Sequence, residues 1–77
     1  MIFATKPIEQ VDIDMSEDGM HVIATGHTAD PDDTAFASMR LRPECFDGDE
    51  KLAFDFTSAL VRSLVEHFGY WSEMRRQ

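Results

Sequence analysis

Two runs of alternating apolar and polar residues meet at Asp18-Gly19, and that arrangement commits the first third of the chain to a β-hairpin. From Ile8 to Met15, Val11, Ile13 and Met15 fall on one face while Gln10, Asp12 and Asp14 fall on the other. From Met20 to His27, Met20, Val22, Ala24 and Gly26 share a face, with His21, Ile23, Thr25 and His27 on the reverse. A four-residue loop at Ser16-Glu17-Asp18-Gly19 pairs Met15 with Met20 and Ile13 with Val22. A two-residue loop at Asp18-Gly19 slides the pairing by two. Directly opposed residues point the same way, so either register sets apolar against apolar. The facing is determined; the register stays open.

Beyond the hairpin, Thr28-Ala29-Asp30-Pro31-Asp32-Asp33 carries proline, three acids and no periodicity, and reads as a loop. Thr34 to Arg42 alternates again, with Ala35, Ala37, Met39 and Leu41 inward and Phe36, Ser38, Arg40 and Arg42 outward, until Pro43 ends the run. Asp47-Gly48-Asp49 reads as a turn and a helix cap, Asp49 being the N-cap of a helix from about Glu50 to about Phe68. Gly69 is the expected stop, and Tyr70–Gln77 a further turn or a tail. The fold expected is α+β: an antiparallel three-stranded sheet in β-β-β-α order, one helix across one face, residues 1–77 forming a single domain.

The helix is more apolar than one sheet requires. At about 100° per residue, its apolar positions spread over most of the circumference, and only Asp55, Ser58, Arg62 and Glu66 make a consistent polar strip. The inward sheet residues Ala24, Gly26, Ala35 and Ala37 are small, so the helix can approach closely there. Phe54, Val61, Val65 and Phe68 are then the expected surplus. Either loop residues such as Phe3, Phe46 and Trp71 cover them, or a second subunit or partner does. A domain of this length buries only about 60% of its unfolded surface and usually draws stability from disulfides, metal or association. One cysteine, Cys45, excludes an internal disulfide, and the three histidines lack zinc-site spacing. Association, most simply a homodimer, is the expectation.

Few constellations suggest chemistry. Asp14 can face His21 across the hairpin beside Asp12, but no nucleophile, third ligand or glycine-rich loop accompanies them. A metal-dependent enzyme built on Asp12, Asp14, His21 and His27 is the least favoured of three readings. The acidic loop lacks EF-hand spacing, and Cys45 reads as a small buried hydrophobe. No catalytic residue, metal or cofactor is expected. With no run of about 18 apolar residues, no membrane span is expected. The N-terminus lacks the apolar region of a signal peptide, and a lone cysteine suits a reducing interior, so the reading is cytoplasmic.

Charge supplies the functional signal. Fifteen acids face seven bases, and no Lys or Arg occurs between Pro7 and Met39, where eight of the acids lie. Direct nucleic-acid binding by that half is disfavoured, since such affinity comes mainly from Lys and Arg at phosphates. Asp12, Asp14, Glu17, Asp18, Asp30, Asp32 and Asp33 form the candidate acidic face, with Ile23 and Phe36 as apolar anchors on the outward sides of their strands. Such a face suits a basic protein surface, charge steering the encounter and apolar contacts holding it. In size, charge and element order the chain is similar to many small phage-encoded inhibitors of host machinery. That resemblance implies a non-enzymatic inhibitor of the anti-CRISPR or anti-restriction kind, occluding a basic nucleic-acid channel. The alternative is an assembly subunit that docks or self-associates through its apolar helix.

Overall fold

In the computed structural model, which describes residues 1–71, the alternating runs pair as one antiparallel sheet in chain order. Strands β1 (Gln10–Met15), β2 (His21–His27) and β3 (Thr34–Arg40) precede helix α1 (Glu50–Phe68). The β-β-β-α fold is therefore as the patterning requires. From Ser72 onward, the expected turn or tail lies outside the described residues.

The hairpin adopts the register of the two-residue alternative: Met15 faces Val22, Ile13 faces Ala24 and Val11 faces Gly26. Its turn is nonetheless closed one step further back. The Ser16 amide donates to the His21 carbonyl at 2.9 Å, and the Gly19 amide donates to the Ser16 carbonyl at 2.9 Å. Asp18 locks this turn, accepting from the Ser16 hydroxyl at 2.5 Å and from the Met20 amide at 2.9 Å. β3 stops at Arg40 rather than Arg42 because Pro43 opens a short 3-10 helix, Pro43–Phe46, although the Leu41 amide still reaches the Met20 carbonyl.

α1 has the predicted bounds for the predicted reason: the Asp49 carboxylate accepts from the Leu52 amide at 3.1 Å. Gly69 does end it, but not by adopting a left-handed conformation, since its φ is −72°. A Cβ there would collide with the Val65 carbonyl oxygen and come within 3.1 Å of Ala35 Cβ. Gly26 works the same way, because a Cβ on it would lie 2.6 Å from a Val65 methyl. The helix rests almost on the backbone of the sheet.

That close approach selects which side chains form the core. Val22, Ala24, Ala35 and Ala37 of the sheet cluster with Val61 and Val65 of the helix, Ala53 is buried as well, and the largest fully buried side chains are valines. Val61 and Val65 are thus core residues and unavailable to a partner, and Phe54 packs against the same cluster. The expectation that Val61 and Val65 are surplus apolar surface is corrected, and Phe54 is half-buried: a floor of Ala and Gly accepts the slender ridge Ala53, Thr57, Val61, Val65 and rejects the bulkier ridge beside it.

A further piece of sheet comes from the N-terminus. Ile2 and Phe36 exchange both backbone hydrogen bonds, at 2.8 and 2.9 Å, so the outer edge of β3 is partly covered. Two residues on, the segment bridges from Ala4 to Tyr70, with the Ala4 amide bonded to Gly69 O and the Trp71 amide to Ala4 O. Ala4 is fully buried as a result. No described helix is long and apolar enough to cross a membrane.

Candidate protein-interaction surfaces

The sheet has one face against α1 and one face that no helix covers, and the strand register arranges the uncovered face in rows. One row runs Asp12, Thr25, Phe36 and, through the N-terminal bridge, Ile2. The next runs Asp14, Ile23, Ser38. Paired residues share a face, so acids occupy the β1 edge and Ile23, Phe36 and Ile2 lie toward the middle and far side. Phe36 is 37% exposed and Ile2 61%. His21 and Arg40 share a row at the hairpin end, so the face also carries a base there.

The candidate acids do not all stand free on this surface. Asp12 lies 2.8 Å from His27 Nε2 and accepts from the Gln10 amide nitrogen at 2.9 Å. The Gln10 bond first, then His27, hold its carboxyl below the ordinary carboxylate range. His27 is the histidine the hairpin pairs with an acid; the predicted Asp14–His21 contact is replaced because Asp14 faces Ile23 and His21 lies opposite Ser16. Asp14 accepts from the Met15 amide. Asp18 serves the turn, and the Ser16 hydroxyl followed by the Met20 amide lowers its pKa.

The β2–β3 loop is further from a simple charged surface. Asp33 accepts from the Thr5 amide at 2.9 Å, the Lys6 amide at 2.9 Å and the Thr5 hydroxyl at 3.1 Å. Asp30 accepts from the Asp32 amide and from Lys6 Nζ at 3.2 Å, and those two bonds, in that order, lower its pKa. The Thr28 hydroxyl donates within the loop, to Asp33 O at 2.7 Å. Asp30 and Asp33 therefore anchor the N-terminal segment. Glu17 and Asp18 at the hairpin tip sit at the opposite end of β2, about 20 Å away at ~3.3 Å per residue. The acids form a band following β1, not one compact patch. Negative side chains along an exposed edge strand also discourage edge-to-edge pairing with other chains.

A second surface lies on the flank of α1. The ridge Leu52, Phe56, Leu60, Leu64, Phe68 runs beside the buried ridge, and its members are 50% (Leu52), 50% (Phe56), 40% (Leu60) and 60% (Phe68) exposed. Of the four residues expected to be surplus, only Phe68 belongs to it. The cover expected from the loops is partial. Phe46 stands 5.3 Å from Phe56 between ring centres, and Phe3 5.7 Å from Trp71, yet Phe3 and Phe56 remain about half exposed. Cys45 is exposed rather than buried, since the 3-10 turn directs Phe46 toward the helix and leaves the preceding residue outside. Along the flank one hollow lies between Met39, Phe46, Phe56 and Leu60, another between Met1, Phe3, Leu64 and Phe68, and a shallower one at the Leu52 end between Asp49, Lys51 and Asp55.

No three His, Cys, Asp or Glu side chains among the described residues are grouped to hold a metal ion. Comparison with protein-family models, with curated proteins and with solved structures finds no match to this chain. Sequence reasoning missed Ile2, Leu52, Phe56 and Leu60. The helix residues could have been found by matching the slimmer of two i,i+4 ridges to the small-residue floor. Ile2 could not, because its pairing with Phe36 is a contact between segments far apart in the sequence.

Proposed function

We propose that the protein is a non-enzymatic binding module whose uncovered sheet face engages a basic surface on a protein partner. The observation that carries this reading is the register: it sets Asp12 and Asp14 along one edge of a face whose interior is Ile23, Phe36 and Ile2. Exposed apolar groups bordered by carboxylates combine the two ingredients of charge-steered recognition. Glu17 and Asp18 extend the band at the hairpin tip. Asp30, Asp32 and Asp33 extend the negative field at the other end, while Asp30 and Asp33 also hold the N-terminal segment in place. In its most concrete form the partner is a host protein whose basic groove normally holds nucleic acid, and the protein is an inhibitor that occupies it. Acidic side chains on a rigid sheet would replace phosphates there, and the net charge of −8 would accelerate the encounter at low salt.

Capture from a lysate of the native host, at low and high salt, tests this. The wild-type chain should retain a basic protein at low salt and release it at high salt. Replacing Asp12 and Asp14 by Asn, or Phe36 by Ser, should abolish retention while leaving the circular dichroism spectrum unchanged. Binding that is insensitive to salt and to all three substitutions would exclude this face.

A further inference from the structure

The apolar flank of α1 goes beyond partner binding by the sheet, and we propose that it is a two-fold interface between copies of this chain. Its size is the first argument. Leu52, Phe56, Leu60 and Phe68 form a continuous ridge, and Met1 and Phe3 continue it past Leu64 and Phe68. With about half of each of these six side chains exposed, and ~200 Å² for a large side chain, the flank presents roughly 600 Å² of apolar surface. Monomers rarely show a patch larger than about 300–600 Å². At the apolar share of about 65% seen in homodimer interfaces, it underlies a footprint of roughly 900 Å² per copy. A standard stable interface uses about 800 Å² per partner.

Charge decides in favour of a second copy at this place. Two chains of net charge −8 can meet only where carboxylates are sparse. The hollows beside Phe56–Leu60 and beside Leu64–Phe68 are lined by no Asp or Glu, with Arg40 and Arg42 bordering one and His67 the other; Asp49 and Asp55 line a hollow only at the Leu52 end. Asp55, one ridge over, already faces Lys51 at 3.9 Å. The acidic band along β1 lies on the other side of β2 and β3, so joining two flanks keeps the bands apart.

Shape agrees. The groove next to the exposed ridge has Ala59 and Ser63 at its centre, small residues exposed to solvent. An i,i+4 ridge from a second helix can enter such a groove, and two ridges interdigitating in this way cross at about −50°. A two-fold axis near Leu60 sets each ridge into the other's groove. The dimer also buries the large side chains that the core, whose largest fully buried members are valines, leaves outside.

Sedimentation equilibrium on the full chain over a wide concentration range is the test. The expected result is reversible dimerisation, unweakened by salt, together with a melting temperature that rises with protein concentration. Leu60→Glu should raise the dimer dissociation constant by at least about a hundredfold. Should that variant fold poorly, the concentration dependence of wild-type melting still decides the matter. A chain monomeric at all concentrations with concentration-independent melting overturns the proposal, and so does a dimer that persists in Leu60→Glu. Asp12→Asn with Asp14→Asn should leave the dimer intact, so loss of partner binding and loss of dimerisation are separately visible.

Discussion

A single missing methyl group sets the depth of this core. Gly26 is on β2 under Val65, and a Cβ there would lie 2.6 Å from a Val65 methyl and 3.1 Å from Ile8. Because Val65 is fully buried and held by the helix, it has little freedom to move aside. Gly26→Ala should therefore push α1 off the sheet and destabilise the fold by about 1–3 kcal/mol, the usual cost of overpacking a tight interior. Urea unfolding would show this as a lower midpoint with an unchanged slope. The direction is opposite to that of Gly→Ala at a site with room, where reduced unfolded-state entropy would stabilise the chain.

At the scale of elements, the N-terminal segment is the piece whose attachment can be dissected. It is held by the Ile2–Phe36 bridge, by the Ala4–Tyr70 bridge, and by Asp33 accepting from the amides of Thr5 and Lys6. The last uses a side chain, and the Lys6–Asp30 ion pair at 3.2 Å adds a second side-chain attachment. Asp33→Ala removes the acceptor for both amides and should loosen residues 2–6 without unfolding the hairpin or α1. Hydrogen exchange should accelerate at Ile2, Ala4 and Thr5 while Val61 and Val65 keep their protection. Uniform loss of protection would instead mean that the segment and the sheet open as one unit. In the same loop the Asp30 and Asp33 carboxylates accept from Thr5, Lys6 and Asp32, so its acids serve the fold as well as the surface charge.

For the whole molecule, charge and stability are linked through pH. Asp12, Asp18 and Asp30 all have folded pKa values below the usual carboxylate value, owing first to the Gln10 amide, the Ser16 hydroxyl and the Asp32 amide respectively. A carboxyl whose pKa is lowered on folding binds protons more readily when unfolded. Its stabilisation is fully present above the unfolded pKa of about 3.9 and is lost as pH falls through the folded value. Thermal melting should therefore be flat on this account above about pH 5 and decline below about pH 4. Mutating Ser16 to Ala should reduce the acid-side loss, since it removes the largest cause acting on Asp18. An acid limb unchanged in Ser16→Ala would mean that other groups set it.

The division between what was legible and what was not follows the range of the interactions involved. Period-two alternation around Asp18-Gly19, the Asp49 cap and the Ala/Gly inner face are local signals. From them came the element order, the inward and outward faces and the bounds of α1. The charge asymmetry is equally a property of the sequence, since no Lys or Arg occurs from Pro7 to Met39. Which side of an apolar helix becomes core is not local. Val61 and Phe56 are both apolar, and only the Ala and Gly floor of the sheet, by admitting the slender ridge and excluding the bulky one, buries the first and exposes the second. Likewise an acid reads the same in sequence whether it faces solvent or accepts from a distant amide. Only tertiary structure, by bringing Thr5 and Lys6 to Asp33, decided that part of the acidic half would hold the fold together and part, along β1, would stay exposed to solvent.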